Sequence, residues 1–126
     1  MKESSIVLCI ATFLALCHSR PLCGQDQGEG KKLYAVYCSG CHGEKGKGDG
    51  PAARSLPVKP ADHTDGKVMN SLSDKFLQDI IAKGGPEVGK SSFMPGWGTQ
   101  LSDKQVRDIV SYIRGLAEPS YKPAEK

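Results

Sequence analysis

Cys38-Ser39-Gly40-Cys41-His42 is the stretch that decides what this chain folds around. Two thiols separated by two residues, with an imidazole next in line, form an attachment pattern for haem. Each thiol can add to one vinyl group of a porphyrin as a thioether. The adjacent His42 is then placed to put a ring nitrogen on the iron. A thiol pair alone leaves the histidine unexplained, and a lone histidine leaves the thiols unexplained.

Outward from this motif the pattern is helical. Lys31 to Cys38 (KKLYAVYC), with Leu33, Tyr34, Val36 and Tyr37 as apolar positions, predicts a short helix running into the attachment residues, after a polar lead-in from Gln25 to Gly30. Gly43 to Gly50 (GEKGKGDG) reads as a loop. Pro51, Pro57 and Pro60 keep the next stretch irregular, apart from one turn at Ala52 to Leu56. Its position suggests a loop wrapped on one haem face rather than a free surface loop. Ser73 predicts an N-cap for Asp74 to Lys83, whose apolar face is Phe76, Leu77, Ile80 and Ile81, and Gly84-Gly85-Pro86 ends that helix. A capping box, Ser102 with Gln105, opens the last helix, striped by Val106, Ile109, Val110, Ile113 and Leu116. The tail from Glu118 to Lys126 is polar, holds two prolines and is expected to be loose. No internal repeat and no convincing strand is present.

A six-coordinate haem needs a second axial ligand, and three side chains compete for the role. Met94 lies in the loop Phe93-Met94-Pro95-Gly96-Trp97-Gly98, where Pro95 stiffens the backbone and the glycines permit close approach to a ring. An isolated methionine is most often gap-filling core. Downstream of an attachment motif, Met94 becomes the expected ligand of a Met/His pair. Met69 precedes a helix cap and reads as packing. His63, between Pro60 and Gly66 in a polar stretch (PADHTDGK), reads as a surface histidine, with bis-His ligation the lesser alternative.

This order of elements resembles a class I c-type cytochrome from about Gly28 to Leu116. The motifs that carry the resemblance are Cys38-Ser39-Gly40-Cys41-His42, Gly48-Asp49-Gly50-Pro51, Met94-Pro95-Gly96-Trp97-Gly98 and Leu101-Ser102-Asp103. It implies an all-α, cytochrome c-like fold: three to four short helices around one covalently attached haem c. It implies that Gly30 and Tyr34 meet Ile109 and Tyr112 where the terminal helices cross. It also implies a proline carbonyl accepting a hydrogen bond from His42, with Pro51 and Pro57 as competitors. The expected activity is one-electron transfer between redox partner proteins, by a monomer. With both axial positions filled, no substrate site remains open, so the chain is not expected to be an enzyme. Thioether ligation withdraws charge from iron, which predicts a reduction potential on the high side for a haem.

The 126-residue length suits one domain. Ile6 to Cys17 is a twelve-residue apolar run, short for a membrane span and suited to a secretory signal. The expected division is a signal peptide over 1–24, a cytochrome domain over 25–118 and a polar tail over 119–126. Export to the periplasm or an equivalent compartment follows, and membrane association would need the leader to be kept or lipidated. Cys9, Cys17 and Cys23 fall in that leader, which leaves Cys38 and Cys41 outside any larger disulfide framework. From Gln25 onward 15 Lys+Arg face 13 Asp+Glu, and so even a balance argues against a nucleic-acid partner. A core of about 100 residues rich in glycine and proline is small, and a haem would serve as its apolar centre. Two rivals stand beside the free electron carrier. One is the same domain as a fixed subunit of a larger oxidoreductase. The other is a thiol-disulfide oxidoreductase using Cys38 and Cys41, which lacks the preceding strand such motifs follow. A zinc site lacks a second cysteine pair.

Overall fold

The computed structural model describes residues 25–122, so the signal-peptide expectation and Cys9, Cys17 and Cys23 lie outside the described residues. Five helices follow one another: α1 (Gln27–Tyr37), α2 (Ser39–His42), α3 (Gly66–Met69), α4 (Asp74–Lys83) and α5 (Asp103–Leu116). Short 3-10 turns occupy Pro51–Ser55 and Pro86–Val88. Among the described residues no strand forms; a single parallel bridge joins Asp65 to Glu118. The fold is all-α.

α1 begins earlier than its apolar pattern suggested. Asp26 is the reason: its carboxylate accepts from the N–H groups of Gly28 and Glu29, two of the orphan donors of a helix start. The backbone N–H of Asp26 in turn donates to Asp108 Oδ1 on α5 at 2.8 Å. One cap therefore starts a helix and ties it to the chain's last helix.

The α1–α5 crossing is the centre of the molecule. A Cβ at Gly30 would run into the backbone carbonyl of Asp108 and lie 3.1 Å from Tyr112 Cβ. The absent side chain is what lets the two helices touch. Tyr34, one turn on, packs edge-on against Tyr112 at 5.1 Å between ring centroids. Around this contact Val106, Ile109, Val110 and Ile113 of α5 are buried, with Leu77 and Ile81 of α4, Met69 and Leu101. Met69 is core packing, as its position suggested.

α4 and α5 keep the expected bounds. Ser73 caps α4 through Phe76 N–H, and Ser102 with Gln105 forms the full capping box on α5. From Glu118 to Tyr121 the chain after α5 is held, where a loose tail was expected; the last four residues of that tail lie outside the described residues. Gly66 N–H donates to Glu118 O, Glu118 N–H to Thr64 O, and Asn70 Nδ2 to Pro119 O. Arg114 stacks on the Tyr121 ring at 3.9 Å, while its guanidinium donates to the carbonyls of Met69 and Leu72 and to Asp74. Composition announced a polar tail, but the carbonyls that would hold it were invisible in sequence. α3 was unforeseen for a similar reason: it is one turn, capped by Asp65 through Lys67 and Val68 N–H.

Candidate functional site

The attachment residues occupy one helical turn. Cys38 N–H donates to Tyr34 O as α1 ends; Cys41 and His42 N–H then return to Cys38 O. Gly43 ends the turn at a φ of 81°, which favours glycine. The glycine-rich loop folds back over it, Gly48 N–H donating to His42 O and Gly50 N–H to Cys41 O. Cys38 is buried and Cys41 half-buried, and both are free thiols. Burial, with Cys41 adding a smaller push, raises the Cys38 thiol to about 12. That opposes the thiol-disulfide rival, whose attacking sulfur needs a lowered pKa. A thioether carries no charge and suits the same buried position.

His42 is held by a residue that sequence reasoning did not single out. Its Nδ1–H donates to Ala61 O at 3.1 Å. The expected proline carbonyl is neither Pro51 nor Pro57, because the chain brings the residue after Pro60 to the ring. Pro51 lies within the 3-10 turn, where Gly50 O accepts from Ala53 N–H. With Nδ1 bonded, Nε2 is the nitrogen open to a metal. Burial lowers the His42 pKa and the Ala61 bond partly restores it. The neutral ring is the form that ligates.

His63 is not a surface histidine. It is 8% exposed, stacked on His42 at 4.3 Å between centroids with 19° between planes. Asp62 explains the turn inward: its carboxylate accepts from both the N–H and the hydroxyl of Thr64, folding the backbone around His63. Those two bonds also lower the Asp62 pKa. Two rings stacked face to face cannot approach one iron from opposite sides, so this geometry opposes a bis-His pair. Nothing in PADHTDGK signals burial, since the apolar neighbours of His63 come from distant elements.

Met94 sits half-buried in a loop shaped by the end of α4. The last carbonyls of any helix lack intrahelical partners. Here Trp97 N–H donates to Ile81 O at 2.8 Å and Gly98 N–H to Ala82 O at 2.9 Å. Gly85 N–H closes the loop on Met94 O at 2.9 Å. A Cβ on Gly96 would meet Lys83 C at 2.6 Å, and one on Gly98 would meet Ala82 O at 2.8 Å. These glycines serve close backbone approach to α4. Trp97 then packs edge-on against Tyr37, 5.1 Å between centroids. Tyr37 directly precedes Cys38, so this pair joins the methionine loop to the attachment turn.

The donor set fits a covalently held haem: two free thiols on one turn, an imidazole with one nitrogen already bonded, and a thioether sulfur in a loop tied beside them. Val58 (60% exposed) and Phe93 (55%), in the loops following the attachment turn and preceding Met94, leave apolar surface uncovered by protein. Among the described residues no group of three or more His, Cys, Asp or Glu could hold a bare metal ion.

Residues 25–113 match the family described as Cytochrome C oxidase, cbb3-type, subunit III. The chain belongs to this family. It is a class I c-type cytochrome. The cytochrome is 31% identical over 97 residues to the gluconate 2-dehydrogenase cytochrome c subunit of Pantoea cypripedii, covering 73% of this chain and 21% of that protein. It is 27% identical over 121 residues to a cytochrome c6 of Nostoc sp., covering 96% of this chain and 98% of the relative. In structure it resembles a chain of the Kuenenia stuttgartiensis reducing HAO-like protein complex, with a TM-score of 0.62 and 30% identity, over 73% of this chain and 44% of that one. The cytochrome spans between 7% and 34% of the length of the first curated relatives it matches. Haem c is its cofactor.

Proposed function

We propose that this cytochrome carries one haem c bonded to Cys38 and Cys41, with His42 and Met94 as axial ligands, and passes single electrons between partner proteins outside the cytoplasm. The observation that carries the reading is the Ser39–His42 turn, which holds Cys41 and follows directly on Cys38, with His42 Nδ1 fixed on Ala61 O. Haem c supplies a one-electron iron couple when bound. The protein's own part is to hold both thiols one turn apart and to present Nε2 in its neutral form. The methionine loop brings a soft sulfur that favours ferrous iron.

Two settings fit this activity. Correspondence with nearly the whole of a cytochrome c6 supports a free carrier. Correspondence with parts of dehydrogenase and oxidase subunits supports a fixed place in a larger complex. Among the described residues no helix is long and apolar enough to cross a membrane. The apolar leader and the covalent haem together support export, with the periplasm or its equivalent as destination.

Denaturing electrophoresis followed by haem staining tests attachment: the colour stays on the band of the parent protein. A colourless band, with haem extracted into acidified solvent, would refute it. Gentle fractionation of the native source then separates the two settings. A small haem-stained species indicates the carrier, and co-migration with a larger oxidoreductase indicates the fixed component.

A further inference from the structure

Behind the ligand set lies a second imidazole for which electron transfer itself has no use. His63 is buried, and its backbone N–H donates to Gly46 O at 2.6 Å. Its Nδ1 lies 3.1 Å from Tyr34 Oη, and its ring covers the face of His42. Tyr34 is itself 1% exposed and leans on Tyr112 of α5. A continuous row of rings therefore runs from the α1–α5 crossing to His42: Tyr112, Tyr34, His63, His42.

The row does something a single hydrogen bond cannot. The bond from Nδ1–H to Ala61 O fixes one edge of the His42 ring but leaves the ring free to swing about the N–H···O line. A flat ring stacked on its face removes that freedom. Ala61 and His63 are two residues apart, so one short segment supplies both restraints. His63 is in turn held by Tyr34, whose place is set by the helix crossing.

We propose that Tyr34 and His63 are positioning residues that fix the plane of the His42 imidazole and so tune the electronic state and reduction potential of the haem iron. The proposal rests on His42 being an axial ligand. The plane of an axial imidazole decides which iron orbital it overlaps, and outer groups that orient a ligand also set its donor strength. Both side chains are buried, and Tyr34 Oη and His63 Nδ1 pair with each other at 3.1 Å, which holds the His63 ring against His42.

The test uses the haem-loaded protein with His63→Ala, His63→Phe, Tyr34→Phe and His42→Ala. Ferric electron paramagnetic resonance and proton NMR of the haem methyl groups report the axial ring plane, and redox titration reports the potential. Circular dichroism follows the fold. In His63→Ala the haem stays attached and low-spin, but the largest g value, the spread of methyl shifts and the midpoint potential all move from the parent. Tyr34→Phe, which removes only one hydroxyl, moves them in the same direction by less. His63→Phe restores a ring face and returns the methyl pattern toward the parent. Parent-like methyl shifts and potential in both His63→Ala and Tyr34→Phe would overturn the proposal and leave the row as packing. Should His63→Ala fail to fold, Tyr34→Phe alone decides. A high-spin spectrum in His63→Ala would make His63 a ligand and overturn it equally. Failure of the underlying assignment looks different: His42→Ala would keep the low-spin spectrum, and the proposal would fall with it.

Discussion

Met94 is a ligand proposed from sequence, and the contacts that shape its loop were not readable there. A methionine between Phe93 and Pro95, downstream of an attachment motif, pointed to a ligand. That Trp97 and Gly98 would satisfy the last carbonyls of α4 was not readable, because it depends on where α4 stops in space. The assignment predicts that Met94→Ala abolishes the weak long-wavelength charge-transfer band of ferric iron while the haem stays attached. The vacated position then takes added cyanide or imidazole, and the potential falls because a soft ligand has gone. Met69→Ala is the contrasting variant. Met69 is 1% exposed, so its loss costs ~2–5 kcal/mol of stability and leaves the band in place. Titration with cyanide, read beside thermal melts, checks both; an intact band in Met94→Ala would remove Met94 from the ligand set. His63 is the converse residue, misread as surface because a loop without periodicity gives no sign of which side chain turns inward.

At the scale of elements, the helices with full caps and clear apolar faces were the readable ones. α4 and α5 appeared at the expected bounds, since Ser73 and Ser102 announce their starts and their apolar faces face the core. α1 was read too short because Asp26 caps a stretch with no apolar residue in its first turn. The contact between α1 and α5 makes a sharp prediction at Gly30. In an open helix, Gly→Ala is stabilising by up to ~1 kcal/mol. Here the added Cβ meets the backbone of Asp108, which cannot step aside. Gly30→Ala should therefore destabilise, and Gly30→Val should do so by about 1–3 kcal/mol or more, as overpacking does. Chemical denaturation of the haem-loaded protein measures the sign. The same crossing carries a pH dependence through Asp108, fully buried between Lys104 and the Asp26 N–H. Burial alone would raise its pKa, but those two partners together hold it below the ordinary carboxylate value. The folded state thus prefers the ionised form. Its contribution is complete above the unfolded carboxylate pKa and is lost as pH falls through the lower folded one. Asp108→Asn should flatten the acid limb of a stability-against-pH curve; an unchanged limb would show that other carboxylates carry it.

For the whole molecule, the small core deduced from composition is visible as an uneven distribution of apolar side chains. Buried residues gather on α1, α4 and α5, from Tyr34 and Leu77 to Ile113. The site-side loops hold little of it: Leu56 is half-buried, and Val58 and Phe93 are exposed. The protein thus supplies one packed side and leaves the other to be covered. α1, α4 and α5 run 11, 10 and 14 residues, and helices of this length are marginal alone in water. α2 and α3 are single turns of four residues, held only by what they touch. Covalent haem would add a large apolar group, tied to the chain at Cys38 and Cys41, whose burial on folding stabilises the folded state. We therefore expect apoprotein, made as Cys38→Ala/Cys41→Ala, to lose much of its helical circular dichroism and its cooperative melt. Any residual structure should centre on the α1–α5 contact, since Gly30, Tyr34, Ile109 and Tyr112 meet there without help from the site. Hydrogen exchange would show this as protection confined to α1 and α5. A cooperative apoprotein melt with full helix content would mean that side chains alone complete the core, and that haem serves function without being needed for the fold.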